Sequence, residues 1–197
     1  VVVELKKYMV AVLIVLLAFS IGFNAYQCNR LSKEKQKAHD LAGFYMSNSV
    51  ATFSNGLVGL TRENVNEYIA KPDNLNSMIE YIQTAQTYYE VAARCVSQFQ
   101  LADASAGFFK AQWLISNGYL KELREYRQYL INNPNGAYEH IDQIATDAAD
   151  LLVINEWLQK RYSSGDFPVY NDDDFYKEVY NSLKSDLKDV YFNANTT

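Results

Sequence analysis

Residues 8–23 read YMVAVLIVLLAFSIGF, and the run carries no charged side chain. A helix in a water-soluble fold keeps one polar stripe, and this one has none. The run would make a helix about 24 Å long, or about 28 Å when carried to residue 26, close to the hydrocarbon thickness of a bilayer. Lys6 and Lys7 precede it, as in a secretory signal or signal anchor. Cleavage after Ala25 would place Phe23 three residues before the cut, where a small side chain is required. A lipoprotein-type cut before Cys28 would follow Ala25, Tyr26 and Gln27, a poor lipobox. The segment therefore reads as a retained single-pass anchor at residues 8–26. A short tail (1–7) precedes it and one domain (27–197) follows.

Two signals bear on orientation and they conflict. Arg30, Lys33, Lys35 and Lys37 follow the run, outnumbering Lys6 and Lys7, and the positive-inside rule places the domain in the cytoplasm on that count. The N-terminal position and short basic lead resemble an export signal and favour an extracytoplasmic domain, which is the reading adopted. The basic cluster itself is suited to lipid headgroups.

The remaining chain is long enough for one domain with its own core. With 3 Pro and 8 Gly in 197 residues, it has few of the turn formers that a many-stranded β fold requires. Heptad spacing is clearest over residues 74–100. Leu75, Ile82, Tyr89 and Val96 recur every seven residues, and Met78, Ala85, Ala92 and Phe99 follow three places behind. Pro72 and Asp73 mark the start of that helix, with Asp73 as its N-cap. A second helix is expected over 103–131, with Ala106, Phe109, Trp113, Leu120, Leu123 and Leu130 on one face and a kink at Asn117-Gly118. The turn signal Asn132-Asn133-Pro134-Asn135-Gly136 ends it.

A third helix is expected over 137–162, with Ile141, Ile144, Ala148, Leu151 and Leu158 inward. A last one over 172–192 would turn Tyr176, Val179, Leu183, Leu187 and Val190 inward. Residues 29–54 continue the anchor as helix, and Thr61 is expected to cap a short helix over 62–70. The short connections imply antiparallel neighbours. The fold class is thus all-α: an antiparallel up-down bundle of four to five helices following an N-terminal transmembrane helix.

Charge excludes one class of partner. Residues 29–136 hold 11 Lys/Arg against 10 Asp/Glu, whereas 137–197 hold 5 against 12. A nucleic-acid binder needs a basic face to neutralise phosphates, and the basic cluster at Arg30, Lys33, Lys35 and Lys37 directly follows the apolar run, where lipid headgroups suit it better. The acidic run Asn171-Asp172-Asp173-Asp174 lacks the alternation and the sixth-position Gly of a calcium loop. It reads as an N-cap with acids in the first helical turn. His39 and His140 stand in no zinc-ligand spacing, and Glu139, His140 and Asp142 read as surface residues. Gly56 and Gly59 lack the lysine and strand of a phosphate loop. No nucleophile elbow or Cys–His signature appears. No cofactor, metal or catalytic residue is expected, and the chain is read as a non-enzyme.

Two side-chain sets remain as candidates. Tyr119, Arg124, Tyr126, Arg127 and Tyr129 gather Tyr and Arg on one helix, residue types favoured at protein interfaces. The competing reading is that the tyrosines fill half-buried bundle positions. Cys28 and Cys95 fall at comparable heights if the first helix climbs from the membrane and the 74–100 helix descends. A disulfide is then conceivable in an oxidising compartment, against the simpler reading of two small hydrophobes. The expected function is a membrane-tethered, non-enzymatic protein-interaction or structural module, with the lipid bilayer and either a protein partner or self-association as partners. The alternatives are a small-molecule-binding, sensor-like bundle, with Asn155 and Trp113 toward the ligand, and an uncharacterised domain facing the cytoplasm.

Overall fold

In a computed structural model the described residues are 2–99, 106–133, 138–162, 175 and 177–189, and among them every regular element is helical. The order is α1 (Val2–Gly56), α2 (Val65–Ile69), α3 (Pro72–Gln98), α4 (Ala106–Leu114), a π-helical turn (Ile115–Tyr119), α5 (Leu120–Asn132), α6 (Ile141–Tyr162) and a 3-10 turn (Tyr180–Ser182). The chain divides into two compact units, 1–38 and 39–197.

In the first unit, every described side chain from 8 through 37 is exposed. Only one helix among the described residues is long and apolar enough to cross a membrane, and none of its apolar window is buried. A soluble protein's core helix would be mostly buried, so the composition suits a membrane anchor or a signal sequence.

The second unit has a continuous core. The α3 heptad faces it as expected: Leu75, Met78, Ile82, Ala85, Ala92 and Val96 are buried, and Tyr89 and Phe99 are half-buried. Small residues bring α1 close to α3. Ala42, Ser49 and Gly56 lie seven apart on α1 and are buried. The Ser49 hydroxyl donates to the Ala85 carbonyl at 2.8 Å, a helix-to-helix bond inside the core. A Cβ on Gly56 would stand 2.7 Å from the Tyr81 Cβ. Tyr45 meets Tyr88 with ring centroids 6.1 Å apart. On α6, Asn155 accepts from the Ser54 hydroxyl at 2.6 Å, and Gln159 donates to the same hydroxyl at 2.8 Å.

Three departures from the sequence reading have local causes. First, α3 starts at Pro72 with Lys71 in the N-cap position, so Asp73 sits in the first turn rather than capping it. A proline at the first helical position gives up only an N–H that no carbonyl would have accepted. Likewise α2 starts after Asn64. Thr61 and Asn64 instead bond reciprocally across the preceding turn, at 2.8 and 3.2 Å.

Second, the expected kink at Asn117-Gly118 is a π turn. One extra residue per turn moves the inward stripe of α4 by one position. Phe108, Ala111 and Leu114 are buried, while Phe109 and Trp113 are half-buried.

Third, the last helix is not continuous among the described residues. A 3-10 turn ends at Ser182, Leu183 is extended, and helix resumes only at 187–189. Val179 and Leu183 are buried and Leu187 is half-buried. Tyr176, Val190 and the 171–174 cap fall outside the described residues.

Replacing Gly56 with alanine puts a methyl group into the Tyr81 contact, and overpacking of this kind costs about 1–3 kcal/mol. Gly56→Ala is expected to lower the thermal midpoint of the detergent-solubilised chain, read by circular dichroism. Gly22, whose Cβ would meet nothing within 4 Å, is the neutral control.

Candidate functional site

Two aspartates on α6, three residues apart, point into the core where a polar side chain is costly unless paired. Asp150 is fully engaged. Its carboxylate accepts the backbone N–H of Lys184 at 3.0 and 2.9 Å, the N–H of Ser185 at 2.8 Å, and the Tyr119 hydroxyl at 3.2 Å. These bonds explain the broken last helix: N–H groups that would have served helical bonds are drawn to a buried charge. Ser185 then accepts the Leu187 N–H at 3.1 Å and starts the final helical turn.

Asp147 is less well satisfied. Oδ1 accepts from Gln143 Nε2 at 3.0 Å, and the same amide donates to the Ser185 hydroxyl at 3.1 Å. Oδ2 has no hydrogen-bond partner. Burial pushes the carboxyl up to about 6; the Ser185 and Gln143 contacts hold it down in part, and the charges of Glu122 and Asp150 add to the rise. The Tyr119 phenol is raised far above its usual range, first by burial and then by Asp150, so it stays a donor at every ordinary pH. The cluster is a buried polar clamp joining α6, the π turn and the segment at 183–187. Asp147 is fully buried, so no substrate reaches it without opening the fold.

Beside the clamp an open recess of about 570 Å³ is lined by Arg62, Trp157, Lys160, Arg161, Glu178 and Lys184, among others. Arg161 is paired with Glu178 and lies over the Trp157 ring, 5.0 Å from its centroid. The lining mixes both signs of charge, unlike the mostly apolar enclosure that a small-molecule site usually needs.

The sequence-derived interaction set is not a single surface. Tyr119 is 0 % and Tyr126 2 % exposed, which corrects their assignment as partner contacts: Tyr119 bonds Asp150, and Tyr126 packs on Tyr138 at 4.9 Å. The π turn is the reason for Tyr119, since it rotates that residue inward. Arg124 is exposed; with the Gln83 amide oriented to satisfy its bonds, Gln83 accepts from Arg124 Nε at 3.0 Å, so that guanidinium is tied to α3. Arg127 and Tyr129 are half-buried, and Tyr129 stacks on Tyr138 at 4.8 Å.

Cys28 is a free cysteine exposed in the first unit, and Cys95 is a free cysteine half-buried in the second. Asn155 is bonded to Ser54, and Trp113 is half-buried on α4. Glu139, His140 and Asp142 are exposed. Among the described residues no three His, Cys, Asp or Glu side chains gather as a metal site.

Asp147 and Asp150 escaped the sequence reading although a signal was there. Both lie on the stripe that carries Ile144, Ala148, Leu151 and Ile154, and acids on an apolar stripe mark buried, partnered carboxylates. No family model matches the chain, and no curated protein or solved structure resembles it significantly.

Removing the Asp150 carboxylate would orphan the N–H groups of Lys184 and Ser185, the latter buried, and a buried phenol. Asp150→Ala is expected to cost on the order of 3 kcal/mol or more and to loosen 183–189, seen as faster amide exchange there. Asp147 has the opposite sign. A carboxyl whose folded pKa exceeds its unfolded value of 3.8 holds its proton more tightly when folded, so its contribution to stability falls as pH rises from about 4 to about 6 and is level above. Asp147→Asn is expected to be more stable than the parent at pH 7.5, by an amount on the order of 2 kcal/mol, with the difference shrinking toward pH 4. Equal pH profiles for parent and variant would contradict the assignment.

Proposed function

We propose that the chain is a single-pass, membrane-tethered protein whose domain is a non-enzymatic interaction or structural module on the extracytoplasmic side. The observation that carries this reading is the contrast between the two units. Residues 8–26 carry no charge and their described side chains are exposed, while the described residues of 39–197 share one continuous core. Uncovered apolar surface of that length is tolerated in lipid and not in water.

The domain is read as an antiparallel up-down bundle. Contacts support that order. Going up α1 from Tyr45 through Ser49 to Gly56, the partners on α3 go down from Tyr88 through Ala85 to Tyr81. Phe108 meets Tyr162 at 5.0 Å while Tyr119 meets Asp150, so α4 with its π turn runs against α6 in the same way. The interaction role is supported by the placing of the polar cluster inside the fold: among the described residues the one carboxyl raised well above its usual range, Asp147, is sealed in the core.

The full chain is expected to stay with membranes through alkaline carbonate, to require detergent for release, and to expose its domain to protease added outside intact cells. A chain released by carbonate, or a mature protein found to begin near residue 26, would replace the anchor with a cleaved signal. Protection from external protease would place the domain in the cytoplasm.

A further inference from the structure

The exposed side of α1 within the second unit carries a short heptad that none of the described residues covers. Leu41, Phe44, Asn48, Ala51 and Asn55 follow one another at intervals of three, four, three and four residues. Leu41 is 45 % and Phe44 57 % exposed, Ala51 and Asn55 are exposed, and Asn48 is half-buried. The intervening positions Ala42, Met46, Ser49, Val50 and Phe53 are buried in the core, so one helix presents two seams. In coiled-coil terms the outer seam has Leu41, Asn48 and Asn55 at a, and Phe44 and Ala51 at d. Asparagine at a is the residue that fixes register and favours paired strands at a cost in stability.

Taking the anchored reading above as its basis, we propose that this face of α1 is a parallel, two-fold interface with a second copy of the chain. Two observations favour that occupant, and a third sets the conditions under which it pairs. The stripe from Leu41 to Asn55 carries no charge, so identical stripes meet without repulsion. Its rim is self-complementary: Ala51 and Asn55 line an open recess of about 710 Å³ whose far wall is Glu156, Gln159 and Lys160, one charge of each sign. An isologous contact requires a patch that suits itself in this way.

The third observation is area. Leu41 and Phe44 leave roughly 200 Å² of apolar side chain in water, and even with Ala51 and the Asn pair the seam falls short of the roughly 800 Å² per partner of a stable soluble interface. Two copies anchored in one bilayer are already concentrated and already point the same way, which removes much of the association cost. The seam therefore pairs tethered chains and leaves detached domains monomeric.

The test is cysteine crosslinking in the membrane, using the full chain with Cys28→Ser and Cys95→Ser and one new cysteine at a time. Phe44→Cys and Ala51→Cys are expected to form a disulfide-linked species of twice the mass under mild oxidation, whereas Thr84→Cys, exposed on α3, is not. Phe44→Glu, which sets like charges across the seam, is expected to abolish the dimer trapped through Ala51→Cys while leaving the thermal midpoint unchanged.

A carbonate-resistant chain in which positions 44 and 51 crosslink no better than 84 overturns the dimer and leaves the anchor standing. A fluorophore at position 44 quenched by a quencher placed in the lipid overturns it as well and assigns the stripe to the bilayer surface. Release of the chain by carbonate removes the anchor, and the tethered dimer with it.

Discussion

The Asp150 carboxylate joins parts of the second unit that are distant in sequence. A charge taken out of water is tolerated only where donors surround it, and here they come from two places distant in sequence: the hydroxyl that ends the π turn and the backbone beyond the 3-10 turn. The carboxylate therefore ties the segment at 183–185 to α6 and fixes the rotation of Tyr119. The helix break, the burial of Leu183 and the capping role of Ser185 all follow from satisfying it. Asp147, one turn earlier, lacks that company and is held nearer its neutral form.

Periodicity made the long elements legible. The α3 heptad, the inward stripe of α6 and the helical continuation of the apolar segment through residue 54 all rest on local pattern, and the structure shows each of them. What pattern could not show was where one helical register ends and another begins. Extrapolating back from Leu120 and Leu123 with an unbroken α period selects Trp113 and Phe109. The extra residue of the π turn hands their place to Phe108 and Ala111 and turns Tyr119 into the core. The last helix was misread for a related reason. Its sequence supports a helix, but bonds from a side chain more than 30 residues away compete for its N–H groups. Tertiary competition of that kind leaves no trace in local composition.

The tyrosines show the same division. Aromatic residues on α5 suggest an interface because their chemistry suits one, yet Tyr126 and Tyr129 both pack against Tyr138. Phe108 and Tyr162 likewise pack inside, and Trp157 closes against Phe175 at 5.2 Å. Aromatic content here measures how the core is filled between thin helices. The exposed apolar stripe of Leu41 and Phe44, by contrast, lies on α1, in the stretch that continues the apolar segment.

The π turn also bears on how such a chain tolerates change in length. An α-helix advances about 100° per residue, so gaining or losing one residue between α4 and α5 amounts to a rotation of everything on one side. Deletion there would spin Phe108 and Ala111 off their seats while α5 kept its own. The wide turn is thus a phase shifter, and the two helices it joins are free to drift in composition only if its count of five residues is kept.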